Sequence, residues 1–227
     1  MLIDDEGNFL TQRTRPILSL FKVTLGLDSL TITHRNHSMR LSLLAPPIDV
    51  LIEAKIWDDV VNVNEVSGNC SDWFSERLGL KCKLVSFPEE NPRPVDPDYA
   101  VNNEQVSLAD AYPFLIIGQA SLEDLNKRLK QPLPMNRFRP NLVFRGGNAF
   151  EEDSWTNFRI GKNRFVGVKP CGRCAVTTVN QETAEKGAEP LATLATYRKR
   201  DGQVYFGQNA IAIDHKEILE SDEIILE

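Results

Sequence analysis

The sharpest chemistry in the sequence is Cys171-Gly172-Arg173-Cys174. Two thiols at C-x-x-C spacing suit several kinds of work. A zinc half-site needs a second pair, and Cys70 and Cys82 stand apart with the wrong spacing. A thioredoxin-like redox pair needs its nucleophile at the start of a helix, whereas Ala175-Val176-Thr177-Thr178-Val179 is β-branched and reads as strand. A single thiolate at a strand edge would serve as a ligand to a soft metal, with Arg173 and Lys169 favouring the charged form. Two small cysteines buried in a core turn complete the alternatives. The residues alone leave these readings open.

Upstream, Arg137-Phe138-Arg139-Pro140-Asn141 places two guanidinium forks and an amide before an apolar strand, a donor set for phosphate or another oxyanion. The bland alternative is a solvated start to that strand. Gly146-Gly147-Asn148 reads as a tight loop. Phe150-Glu151-Glu152-Asp153-Ser154-Trp155 reads as a solvated acidic face with Trp155 anchoring the next strand. His34 and His37 fall in a polar loop without carboxylates to complete a metal site, and His215 lies near the C-terminal end. There is no P-loop, no G-x-G-x-x-G and no H-E-x-x-H.

These residues need strands to hold them. Short strands are expected at 2–3 and 9–11 about an Asp5-Glu6-Gly7-Asn8 turn, then at 27–33, 41–43, 50–57 and 83–87. A helix is expected at 71–78, ending at Gly79. Pro88 to Pro97 holds four prolines and reads as an extended connector. Beyond it, Ser121 caps a helix running to Leu129, with Leu122, Leu125 and Leu129 as its stripe. Strands follow near 141–145, 157–160, 164–168 and 174–179. Pro190 opens a helix carrying Leu191, Leu194 and Tyr197. Asp201-Gly202 is a hairpin turn before Val204-Tyr205-Phe206, and 210–213 and 224–226 end the chain as strands. The expected class is mainly β with a few helices (α+β).

Composition agrees. The 227 residues are 41% hydrophobic and 26% charged, which excludes a disordered chain. A net charge of -6 argues against a nucleic-acid or anionic-membrane binder. Four cysteines are too few for a disulfide scaffold, and no stretch reaches the roughly 20 apolar residues of a membrane span. The acidic start lacks the basic and apolar regions of a secretory signal, so a cytoplasmic location is expected.

Taken in order, Ser107 to Ile116, Ala120-Ser121-Leu122 with Leu125-Asn126, Asn136 to Asn141, Glu152-Asp153-Ser154-Trp155, Cys171 to Cys174 with Thr177-Thr178-Val179, and Phe206-Gly207-Gln208-Asn209 resemble MOSC-domain proteins. The resemblance is nearest to the amidoxime-reducing branch. It is specific over 100–213 and looser over 1–99. It implies an N-terminal β-barrel domain over 1–90, a Pro-rich connector over 91–99 and a MOSC β-barrel over 100–227.

The resemblance also implies a molybdenum cofactor, Mo-molybdopterin. Cys174 would be its protein ligand, and Arg139, Pro140, Asn141 and the Asp110-Ala111-Tyr112 loop would hold the pterin. Ala111 stands where relatives often carry Thr. Asn148 stands near the metal where mitochondrial members have an acid, and an amide cannot serve as a carboxylate base. The implied activity is reduction of N-hydroxylated compounds (amidoximes, hydroxylamines, N-hydroxylated bases), with electrons from a separate reductase or carrier. A cofactor- or sulfur-carrying module without turnover is the alternative. Met1 matches a point inside the family's first domain, beyond its basic phosphate anchor. The resemblance therefore implies a shortened first domain and weakened or absent cofactor binding, or an inactive fragment.

Overall fold

The structure is a computed structural model and describes residues 1–227. The chain divides into two compact units, Met1–Arg93 with Val179–Lys186, and Pro94–Thr178 with Gly187–Glu227. As expected, it is mostly β, with three α-helices.

The first unit contains β1 (Leu2–Asp4), β2 (Phe21–Leu25), β3 (Ser29–His34), β4 (His37–Ser42), β5 (Leu51–Ile56), β6 (Asp59–Glu65), α1 (Gly68–Leu78) and β7 (Cys82–Ser86). It has two sheets, β1-β7-β6-β5 and β2-β3-β4. β5 shows how the pattern sets the fold: Ala54 and Ile56 point into the core while Glu53 and Lys55 point out. α1 turns Cys70, Ser71 and Phe74 inward, and Phe74 packs with Ile32, Phe21 and Cys82. Cys70 and Cys82 are both buried and free, and burial pushes the Cys82 thiol up. His34 is not in a polar loop. It ends β3, is buried, and stacks on Phe21 with ring centroids 4.3 Å apart; burial lowers its pKa.

The segment 179–186 leaves the second unit in sequence and joins the first, a crossing absent from a linear division of the chain. Its ties are polar: Lys22 Nζ donates to the Gln181 carbonyl (2.8 Å) and Lys186 Nζ to the Arg13 carbonyl (2.6 Å).

The second unit contains β8 (Phe114–Gly118), α2 (Gln119–Arg128), β9 (Leu142–Phe144), β10 (Asn157–Ile160), β11 (Asn163–Gly172), α3 (Leu191–Ala195), β12 (Lys199–Arg200), β13 (Gln203–Ala212) and β14 (Ile224–Leu226). One curled sheet runs in the order β14-β10-β11-β13-β8-β9, with β12 paired to β13. Only the β8–β9 contact is parallel in that path. One face of the sheet buries Ile116, Trp155, Phe158 and Phe165. The other packs Ile117 and Phe206 against Leu122 and Leu125 of α2, Leu194 of α3, and Phe138.

Two further sequence expectations are corrected in this second unit. Ser121 does not cap α2, which begins two residues earlier at Gln119; its hydroxyl is turned to the Glu152 carboxyl instead. Residues 175–178 form a 3-10 turn, not a strand. The Thr177 and Thr178 hydroxyls donate to the carbonyls of Cys174 and Ala175 (3.0 and 2.8 Å), so local side-chain bonds override β-branched propensity.

β11 is irregular at Gly167–Lys169 and Pro170–Gly172, which bends it toward the cysteine turn. Gly167 is required at the first of these, because a Cβ there would collide with the carbonyl oxygen of Trp155. The clash is with backbone, so it cannot be relieved by rotating a side chain. Gly167→Ala is expected to cost about 1–3 kcal/mol, as overpacking does. Urea unfolding, read as a lowered midpoint at unchanged slope, checks this.

Candidate active site

The cysteine turn is held from two sides by arginines. Arg137 is 7% exposed. Its Nε donates to the Thr177 carbonyl (2.9 Å) and its Nη2 to the Glu189 carbonyl (3.0 Å). Thr177 in turn donates its N–H to the Cys174 carbonyl (3.2 Å). Arg173 Nη2 donates to the Phe138 carbonyl (2.7 Å), and its Nη1 donates to Cys171 Sγ (3.0 Å). The Arg173 N–H closes the turn on Val204 of β13 (2.7 Å). These bonds bring the 137–139 segment against the C-x-x-C turn. Burial lowers the Arg137 pKa, but a guanidinium remains charged at any relevant pH.

The two cysteines are therefore unequal. Cys171 is engaged by Arg173, while Cys174 is half-buried and its Sγ takes part in no hydrogen bond. Cys174 lies between the end of β11 and the 3-10 turn. Arg173 Nε is buried without a partner.

The other expected residues are placed differently. Arg139 is exposed and sits at φ 54°, in the left-handed region, immediately before Pro140. Asn141 serves the sheet: its Oδ1 accepts the Leu115 N–H (2.9 Å) while its own N–H donates to the Leu115 carbonyl (3.0 Å). That pins the start of β9 to β8 and leaves Nδ2 for another partner. Asp110 and Ala111 are exposed, while Tyr112 is buried with Val95, Val106 and Ile211. Burial pushes the Tyr112 phenol up, with Lys169 opposing.

Lys169 does not attend the cysteines. Its Nζ lies 4.2 Å from the Tyr99 ring centroid and 5.2 Å from that of Tyr112. Asn148 is exposed; its N–H donates to the Glu151 carboxylate (2.7 Å). That carboxylate covers Gly147, where a Cβ would collide with it and where φ is +69°. The Glu151 carboxylate therefore stands at this loop, three residues after Asn148.

Sequence reasoning missed Arg137 as a clamp and took Glu152 for a solvated acid. Glu152 is fully buried, and burial raises its pKa. The absence of a nearby acid beside Arg137 offered no local signal, since both of its partners are carbonyls supplied from distant residues.

Arg137→Met keeps the apolar stem and removes both donors. The charge-assisted bonds are worth roughly 1.5–3 kcal/mol each. The expected result is a lower melting temperature and faster alkylation of Cys174 by iodoacetamide, with Cys70 and Cys82 remaining protected below the melt. Peptide mapping after timed alkylation reads this out.

The second unit is thus a mainly β domain that presents a thiol without a hydrogen bond on a turn braced by two guanidinium groups. Comparison makes the class specific: the chain belongs to the MOSC domain family, which matches residues 103–225, and the MOSC N-terminal beta barrel domain matches residues 1–81. The mitochondrial amidoxime-reducing component 1 of Mus musculus is 35% identical over 207 residues, 88% of this chain and 61% of that protein. The human protein of the same name is 32% identical over 208 residues, with the same coverage of each chain. The molybdenum cofactor sulfurase of Oryza sativa subsp. japonica is 31% identical over 237 residues, 95% of this chain and 28% of that protein. The chain thus spans about three fifths of the amidoxime-reducing relatives, at 61%. No helix is long and apolar enough to cross a membrane.

Proposed function

We propose that this chain is a molybdenum-cofactor-dependent oxidoreductase that reduces N-hydroxylated compounds. The single observation that carries the reading is the Cys174 thiol, unbonded and braced by Arg137 and Arg173. The names of the relatives point the same way.

The residues present fit such a group. Cys174 would give a metal one soft protein donor, and the group that carries the metal would supply the others. The exposed Arg139 guanidinium and the spare Asn141 Nδ2 suit the phosphate and polar edges of a pterin. When bound, the molybdenum–pterin group supplies the two electrons that, with two protons, convert an amidoxime to an amidine and water. Cys174 anchors the metal as a soft thiolate. Arg173 holds the turn to Phe138 and keeps Cys171 occupied. Asn148, an amide, orients polar groups by hydrogen bonds but takes no proton, and Glu151 beside it holds the nearest carboxylate of that loop. The electrons come from a separate reductase or carrier protein.

A second reading, a cofactor- or sulfur-carrying module, draws on the match to the rice sulfurase across most of the chain. In that case Cys174 carries a persulfide and no turnover occurs. The protein purified from molybdenum-replete cells decides between them. Molybdenum content near stoichiometry and benzamidoxime reduction with an artificial donor are expected. Metal-free, inactive protein overturns the first reading, and a mass shift of one sulfur at Cys174 selects the second.

A further inference from the structure

The curled sheet of the second unit is not closed. β9 pairs only with β8, and β14 only with β10, so they form the two free edges of the path. These edges face one another across a cleft of about 1330 Å³, lined by residues of both. That exceeds the roughly 300–1,000 Å³ typical of a small-molecule site. Its floor is apolar and belongs to the core of the unit: Ile116, Phe144, Trp155 and Ile160. At its lips, Val143 is 49% and Leu226 56% exposed.

Both edges present unpaired main-chain donors and acceptors beside an apolar floor. Soluble proteins blunt such edges with charge, or use them to receive a strand. The rim is acidic. Glu151, Glu220, Asp222 and Glu223 line it against a single base, Arg145. Glu151 and Asp222 are engaged with the N–H groups of Asn148 and Leu219, while Glu220 and Glu223 are exposed.

We propose that the seam between β9 and β14 receives an extended segment of a partner protein as an added strand. The segment alternates apolar and small polar residues and is flanked by lysine or arginine. Period-2 alternation sets every second side chain against the exposed apolar lips, Val143, Leu219 and Leu226, over the buried core, and the main chain pairs with the free edges. The basic flanks answer Glu220 and Glu223 and exclude acidic strands. The cleft shares Asn141 and Glu151 with the residues assigned to the cofactor, but strand addition at its edges uses no group of Cys174, so peptide binding is read without the cofactor.

The probe is the labelled peptide Lys-Lys-Thr-Val-Thr-Val-Thr-Lys-Lys, followed by fluorescence anisotropy against the whole chain. Saturable binding is expected. A twin with Pro at the central Thr should bind at least ~10-fold more weakly, because it loses a ladder donor. A twin with Glu flanks should fail on the native protein and gain on Glu220→Lys/Glu223→Lys, while the Lys-flanked peptide loses on that variant. Leu226→Asp, a change at an exposed position, should weaken the Lys-flanked peptide without altering the melting temperature. No saturable binding, equal binding of the Pro twin, or indifference to the charge reversal overturns the proposal. Concentration-dependent self-association abolished by Leu226→Asp also overturns it, assigning the seam to a second copy of the chain.

Discussion

Cys174→Ser should leave the purified protein without molybdenum, while Cys171→Ser should retain it. The asymmetry follows from the turn. Cys171 Sγ already accepts from Arg173 Nη1 at 3.0 Å, whereas Cys174 Sγ is uncommitted and half-buried. A serine hydroxyl is nearly isosteric but hard, poorly ionised and a weak partner for a soft metal. Substituting residues that merely orient a metal ligand costs 10–100-fold in affinity or activity, so losing the one sulfur donor that the protein supplies should exceed ~100-fold. The fold should survive, because neither thiol contributes to any of the three core clusters of the unit. Circular dichroism melts of both variants should therefore match the parent within a few degrees. Metal analysis then separates the outcomes. Equal loss of molybdenum from both variants would show that the turn binds through both sulfurs, and retention by Cys174→Ser would remove the basis of the redox reading. In the carrier reading, Cys174→Ser loses its persulfide instead, and the alkylated mass of the 171–174 peptide reports it.

Much of this site was legible in the sequence because its signals are local. The C-x-x-C turn, the Arg-Pro-Asn segment, the Asp201-Gly202 turn and the alternating strands each rest on residues a few positions apart. What was not legible depends on distance. Arg137 reads as an oxyanion donor or a solvated strand entry until Thr177 and Glu189 supply their carbonyls from 40 and 52 residues away. Lys169 reads as an electrostatic neighbour of the cysteines, but the bulges in β11 and the partners Tyr99 and Tyr112 take its ammonium elsewhere. Thr177 and Thr178 favour strand by propensity, and two hydroxyl-to-carbonyl bonds reverse that preference. Glu152 was misread for the same reason. Within Glu-Glu-Asp its neighbours are acidic and partly exposed, and nothing in the run reveals that one carboxyl turns inward to Ser121, 31 residues earlier.

Glu152 also carries the largest stability effect expected in the second unit. Its carboxyl is fully buried at the N-terminus of α2, where Oε1 accepts the Gly118 N–H (3.2 Å) and the Ser121 hydroxyl (2.8 Å). Ser121 Oγ accepts the Phe150 N–H (2.7 Å), so one network fastens β8, α2 and the 151–154 turn. The space is closed, since a Cβ on Gly118 would lie 2.7 Å from Phe144 Cζ. Glu152→Leu strands two buried donors, each costing about 1–3 kcal/mol, in a site shaped for a planar group, for a total near 2–5 kcal/mol. Glu152→Gln keeps an acceptor and the shape, and should cost less than half as much at pH 5. Their pH dependence differs in sign from that of an ordinary paired acid. Burial raises the folded-state pKa of Glu152 above its unfolded value, with Ser121 and Gly118 opposing. The stability it contributes is therefore full below the unfolded carboxyl value and is lost as pH rises through the folded one. Urea melts across pH 4 to 8 should show the gap between parent and Glu152→Gln narrowing as pH rises. A gap that widens with pH would mean that Glu152 is held as a stabilised carboxylate by the α2 N-terminus. Ser121→Ala alone and combined with Glu152→Gln closes a double-mutant cycle, and strong coupling between the two locates the effect in this network rather than in charge at large.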